Sequence, residues 1–146
     1  MSLFSALSVS ASGMDAQRTR AELLVQNLAN AETTRTAEGG PYKRKDVVFS
    51  ANPSDSAFEA EFQGALGSQT GGVTVDQIVE DTRPPDRRYL PGHPDADKDG
   101  YVSFPNVSPA EDMADLMNAN RGYDGNIAAI AAVKDMITQS IQMLSA

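Results

Sequence analysis

Apolar residues return along the last quarter of the chain at alternating intervals of three and four. Met113, Leu116, Tyr123, Ile127, Ile130, Ile137, Ile141 and Leu144 follow that spacing, with Asn120 and Lys134 as polar members of the same series. The alternation is a heptad seam, the pattern of a helix packed lengthwise on another helix. Ser108-Pro109-Ala110-Glu111 marks its start with an N-cap serine, a proline at the first helical position and a glutamate placed for a capping box. Asp112 and Asp115 then put negative charge in the first turns, where the helix dipole favours it. The predicted helix over 108–144 would be roughly 54 Å long at about 1.5 Å per residue, longer than a compact globule of this size is wide. Residues 127–133 are apolar all round, so more than one neighbour has to bury them. Polar Asn120 and Lys134 fix register at a cost in stability.

The same alternation opens the chain, at Leu3, Leu7, Ser10, Met14, Gln17, Ala21, Leu24 and Leu28. Ser2 is a suitable N-cap and the Asn27 to Asn30 region a suitable stop, which predicts a helix of about 27 residues. Matching seams at both ends predict that the helices pair as a coiled-coil-like stem. Ordinary packing inside one chain is the simpler arrangement. The favoured one is a stem that completes its core by stacking with other copies or homologues, because the weakly apolar middle of the chain cannot cover two helices of this length.

Between them the texture changes to Gly, Pro, Ser, Thr and Asp. Short strands are predicted at Val47 to Phe49, Val73 to Val79 and Tyr101 to Phe104, with a weaker piece near Phe58 to Phe62. Gly39-Gly40-Pro41, Gly64 to Gly72 and Pro84-Pro85 separate them. The predicted class is therefore mainly α with a small β region. Its divisions are an N-terminal helix at 1–30, an irregular β module with loops at 31–107, and a C-terminal helix at 108–146.

Charge narrows the function. A net charge of -8 argues against nucleic acid, which selects clustered Lys and Arg. The basic groups Lys43-Arg44-Lys45 and Arg87-Arg88 each have acids beside them. With no cysteine there is no disulfide and no thiolate chemistry, a composition that suits more than one redox compartment. The first residues lack a basic n-region and are diluted by serines, so a cleaved secretory signal is not expected. No apolar run reaches the roughly 20 residues that span a bilayer.

Candidate chemistry is thin. Asp95-Ala96-Asp97-Lys98-Asp99-Gly100 matches the first half of a calcium-binding EF-hand loop, and Val102 supplies its apolar eighth position. Position twelve is Asn106, which offers no bidentate carboxylate, and Pro91, Pro94 and Pro105 obstruct the flanking helices. A calcium-binding interaction module using this turn is the alternative reading, and a charged turn feeding the strand at Tyr101 the simpler one. His93-Pro94-Asp95 is also the tripeptide of J-domain co-chaperones, but here it sits among Pro and Gly in an acidic loop. One histidine builds no His-based metal cluster, and no nucleophile stands in a recognisable setting. Neither enzyme, cofactor nor metal site is expected.

Several blocks nevertheless resemble a known family. Leu28-Ala29-Asn30-Ala31-Glu32-Thr33-Thr34 resembles the helix-ending signature of bacterial flagellar rod and hook proteins, with Asn27 and Asn30 as its asparagines. The run Gly40-Pro41-Tyr42-Lys43-Arg44-Lys45-Asp46-Val47-Val48-Phe49 is similar to the proximal-rod members of that family. So are Pro91-Gly92-His93-Pro94-Asp95-Ala96-Asp97 and Gly100-Tyr101-Val102 with Pro105-Asn106-Val107. The resemblance covers nearly the whole chain. It implies a structural, torque-transmitting subunit of the basal-body rod in the periplasm, exported without signal cleavage. Its implied partners are its own copies, homologous rod proteins, the flagellar export apparatus and the inner-membrane ring. Arg121-Gly122-Tyr123-Asp124-Gly125-Asn126 departs from the family, which usually carries alanine where Gly122 and Gly125 stand. Each helical glycine costs about 1 kcal/mol against alanine, so the C-terminal helix is expected to rely on neighbours for its burial.

Overall fold

A computed structural model describes residues 3–51 and 71–144. The expected cap at Ser2, the strand near Phe58 to Phe62 and the glycine-rich break before Gly71 lie outside them. Among the described residues two helices flank four strands in chain order: α1 (Leu3–Ala29), β1 (Lys45–Ala51), β2 (Val73–Glu80), β3 (Asp86–Tyr89), β4 (Tyr101–Phe104) and α2 (Pro109–Leu144). The class is mainly α with a small β region, as the patterning predicts.

Both helix ends follow from local chemistry. At the end of α1 the backbone N–H of Asn30 still reaches Gln26 O at 3.2 Å, while its side-chain Nδ2 donates to the same carbonyl at 2.9 Å. Asn30 Oδ1 then accepts the Thr33 hydroxyl at 3.2 Å, turning the chain out of the helix. Gly39 and Gly40 follow at φ 87° and 80°, a left-handed pair that residues with a Cβ adopt only under strain. Ser108 O accepts the N–H of Asp112 at 3.0 Å, so α2 takes its first helical bond from the expected cap residue.

The strands form two separate two-stranded sheets, β1 with β2 and β3 with β4. In the second the pairing is antiparallel, from Asp86 opposite Phe104 to Tyr89 opposite Tyr101. Strand β3 was not expected, and its residues explain why. Asp-Arg-Arg-Tyr follows two prolines, carries no apolar alternation and is exposed along its whole length. Its apolar partners come from β4, where Val102 is fully buried, and its arginines lie over aromatic rings: Arg87 over Tyr101 at 5.1 Å and Arg88 over Phe104 at 4.8 Å.

The chain divides into two compact units, each drawing on both helices. The first comprises Met1–Thr19, Phe49–Asp76 and Ala119–Ala146, and the second Arg20–Val48 and Gln77–Asn118. In the first the buried side chains are small, at Ala16, Ala119 and Val133. The second buries Leu24 and Val102 together with two polar residues, Asn27 and Asp112. Buried polar groups require partners, and theirs define the best-built feature of the molecule.

Candidate functional site

Asn27 sits in the last turn of α1 with no exposed surface. Its Nδ2 donates to Lys45 O at 2.7 Å, and its Oδ1 accepts both the Lys45 N–H and the Tyr42 hydroxyl at 2.9 Å. One side-chain amide therefore bonds both backbone groups of the first residue of β1, as a neighbouring strand would. Tyr42 completes the clasp, and its N–H returns to Thr33 O at 3.0 Å. Pro41 follows the two left-handed glycines and precedes Tyr42.

Beside the clasp lies a buried ion pair. Arg44 Nη2 donates to Asp112 Oδ1 at 2.9 Å and its Nε to the same oxygen at 3.3 Å, while Asp112 is only 2 % exposed. Asp112 Oδ2 is buried and has no hydrogen-bond partner among the described residues. Arg44 Nη1 also reaches Asp46 Oδ2 at 3.3 Å, so one guanidinium serves two carboxylates. Arg20 and Asp115 add a longer contact of 3.7 Å between the helices of this unit. Asp81 is held below the usual carboxylate range by the fork of Arg83, whose Nη2 lies 2.6 Å from Asp81 Oδ2.

Burial, and after it the negative charges of Glu80 and Asp112, push the Tyr42 phenol above its ordinary value near 10. A pKa raised on folding means that the neutral phenol stabilises the fold below the unfolded value, and that this is lost as pH rises through the folded value. Alkaline destabilisation above about pH 10 should therefore be shallower in Tyr42→Phe than in the parent chain. Denaturant midpoints across that range measure it, and parallel curves for the two proteins would refute it.

The loop from Leu90 to Gly100 carries the remaining motif residues. His93 Nδ1 accepts the Asp95 N–H at 3.1 Å, with its ring edge-on to Phe104, while Pro91, Gly92 and Pro94 lie exposed around it. Gly100 closes the loop at φ 80°, where a Cβ would come within 2.9 Å of the Tyr89 ring, and Tyr89 meets Tyr101 edge to face. Asp95 and Asp97 spend their carboxylate oxygens on the protein itself. Asp97 Oδ1 accepts the N–H groups of Asp99 and Tyr101 at 2.9 Å, its Oδ2 pairs with Arg87, and Asp95 Oδ2 accepts the Thr34 hydroxyl at 2.8 Å. The Tyr101 N–H is the main reason that the Asp97 carboxyl stays below its usual range. Among the described residues no group of three or more His, Cys, Asp or Glu side chains is placed to hold a metal ion. Calcium binding at this turn has no support.

The seam residues divide by exposure. Leu24 is buried, and Leu7, Met14, Leu28, Leu116, Tyr123, Ile130 and Ile137 are half-buried. Leu3, Met113, Ile127, Ile141 and Leu144 are exposed, Ile127 by 45 % and Leu144 by 90 %. On α2 the residues at 116, 123, 130 and 137 are half-buried within the chain, and the rows buried beside them lie one residue before the alternate rows of the expected seam. Asp112, Ala119 and Val133 are buried and Asn126 half-buried, where Met113, Asn120, Ile127 and Lys134 were expected. A heptad row can be completed three or four residues away, and hydropathy favours Ile127 where close packing selects Asn126. Asp112 and Arg44 also escaped sequence reasoning as a pair. They stand 68 residues apart, and one read as a dipole charge and the other as part of a basic triplet.

Comparison with known proteins bears on the whole chain. A family model described as "Flagellar basal body rod FlgEFG protein C-terminal" matches residues 98–143. The "Flagellar basal-body rod protein FlgC" of Borreliella burgdorferi is 37% identical over 150 residues, covering 99% of each chain. Its counterpart in Bacillus subtilis is 37% identical over 98% of this chain and 99% of its own, and that of Salmonella typhimurium 34% identical over 98% of both.

Proposed function

From the premise that the chain belongs to the FlgC family of flagellar basal-body rod proteins, and so is a structural rod subunit, we propose that it polymerises with homologous rod proteins into the torque-transmitting proximal rod. It performs no catalysis. Its terminal helices, 1–30 and 108–146, carry the polymer contacts, and the segment 31–107 meets neighbouring subunits through its loops. The chain crosses to the periplasm through the flagellar export apparatus without cleavage and docks on the inner-membrane ring. No described helix is long and apolar enough to cross a membrane, and the reading requires none.

The observation that carries this reading is the outward apolar row of α2. Met113, Met117, Ile127 and Ile141 are all about half exposed or more, on a helix whose rows at 112, 116, 119, 123, 130 and 133 pack within the chain. So much exposed apolar side chain along one helix suits a partner helix better than water. Leu3 and Phe4 extend the same character to the start of α1.

Ile127→Asp tests it. In the free chain the substitution should cost under about 1 kcal/mol, because the site is half exposed. In the polymer it should lose roughly 2 to 5 kcal/mol of packing, with a further penalty for the unpaired carboxylate. The expected outcome is normal expression, export and thermal unfolding with no rod and no motility, while Asp124→Ser stays close to neutral. A cell that swims normally on the Ile127→Asp subunit would remove residue 127 from the polymer interface.

A further inference from the structure

Three glycines lie inside the helices of the first unit, and two of them face a side-chain amide of the other helix. A Cβ on Gly13 of α1 would stand 3.0 Å from Asn126 Nδ2, and a Cβ on Gly122 of α2 would stand 3.2 Å from Gln17 Cδ. Gly125 has no such neighbour within 4 Å among the described residues. Each helix thus presents a glycine followed four residues later by an amide, and each amide fills the notch of the opposing glycine. The two contacts are related by a local two-fold axis between antiparallel helices.

We propose that Gly13, Gln17, Gly122 and Asn126 form a register key that selects the antiparallel, in-register pairing of the terminal helices from the alternatives a heptad seam allows. The apolar rows repeat every seven residues and accept a slip of seven with little change in what they bury. The key does not. A slip in one direction sets Asn126 against Arg20 and Gln17 against Ala129; in the other it sets them against Ala6 and Asp115. In both cases a Cβ occupies the space an amide needs, and the glycine notches meet mismatched side chains, Val133 and Leu24 in the first slip and Ala119 and Ser10 in the second. Parallel pairing would bring glycine to glycine and amide to amide. The arrangement carries a cost in this chain, which specificity of pairing would offset. Gln17 Oε1 is buried without a hydrogen-bond partner among the described residues, and Asn126 Nδ2 finds its acceptor only on its own helix, at Gly122 O, 3.0 Å away. The proposal concerns the chain's own helices and stands or falls independently of the rod reading.

A double-mutant cycle on the purified full chain tests it by equilibrium denaturation. Gly122→Ala alone should lower the folding equilibrium constant despite the better helix propensity of alanine. In a Gln17→Ala background the same change should raise it, by roughly fivefold. Gly13→Ala against Asn126→Ala should behave likewise, and Gly125→Ala should be stabilising in every background. If Gly122→Ala by itself abolishes folding, recovery in the double variant is the same reversal. Effects of one sign in both backgrounds would overturn the interlock. Register is read separately by oxidation, since the chain has no cysteine of its own. One heptad from Gly13 and Asn126, the pair Ala6→Cys with Val133→Cys should bridge, whereas Ala6→Cys with Ser140→Cys should not. When all four key residues are alanine, the second pair should also bridge; exclusive bridging of the first would show that register is set elsewhere.

Discussion

Replacing Asn27 with alanine is expected to destabilise the free chain by about 3 to 5 kcal/mol, a large share of the stability of a domain this size. Three hydrogen bonds disappear together, and their loss leaves the N–H and C=O of Lys45 facing a small void. An unsatisfied buried polar group costs about 1 to 3 kcal/mol, and alanine returns none of them. Tyr42→Phe removes only the phenol donor and should cost about 1 kcal/mol, so comparing the two separates the backbone clasp from its side-chain supplement. Chemical denaturation gives both values. If Asn27→Ala cost no more than Tyr42→Phe, the amide would not be what holds β1 to the helix.

Arg44→Met is expected to be comparably severe, at about 3 to 5 kcal/mol, through a different cause. The guanidinium is the partner of a carboxylate whose side chain is only 1% exposed, and deleting it strands that charge. The adjacent start of α2 softens the penalty, because the helix dipole favours an anion at its N-terminus. Replacing both members, Arg44→Met with Asp112→Leu, should return stability to within about 1 kcal/mol of the parent, since a buried ion pair contributes little beyond a well-packed apolar pair. Denaturation of the single and double variants decides this. A double variant as unstable as Arg44→Met alone would mean that Arg44 acts chiefly through Asp46 or through packing of its stem.

The features legible in the sequence were those written in local chemistry. Ser108-Pro109 placed the start of α2, and Asn30 the end of α1, because caps act on backbone groups within one turn. Tyr101 to Phe104 read as a strand since aromatic and β-branched residues dominate it, and Val102 does face a core. Asp86 to Tyr89 did not, because its pairing is supplied by β4 and its own residues carry charge on both faces. The clasp was half visible: Asn27 and Tyr42 stood out as motif residues, but nothing local says that an amide at a helix end will bond the backbone of residue 45. The seam was legible in period and ambiguous in phase, for two rows fit every heptad. Gly122, which seemed only to weaken α2, is the notch for Gln17, whereas Gly125 has no contact among the described residues to account for it.

The displaced rows of α2 also divide its residues by the number of masters they serve. Asp112, Ala119, Asn126 and Val133 answer only to their own chain, and Met113, Asn120, Ile127 and Lys134, on the rod reading, only to a neighbour. Leu116, Tyr123, Ile130 and Ile137 lie between the two and, on the same reading, answer to both. Divergence between rod proteins of different bacteria is then free to proceed in two independent sets, one drifting with α1 and the other with whichever subunit lies alongside. On that reading the shared rows are expected to change slowly, since a substitution there has to satisfy two surfaces at once. One helix can in this way acquire new neighbours without forgetting how to fold.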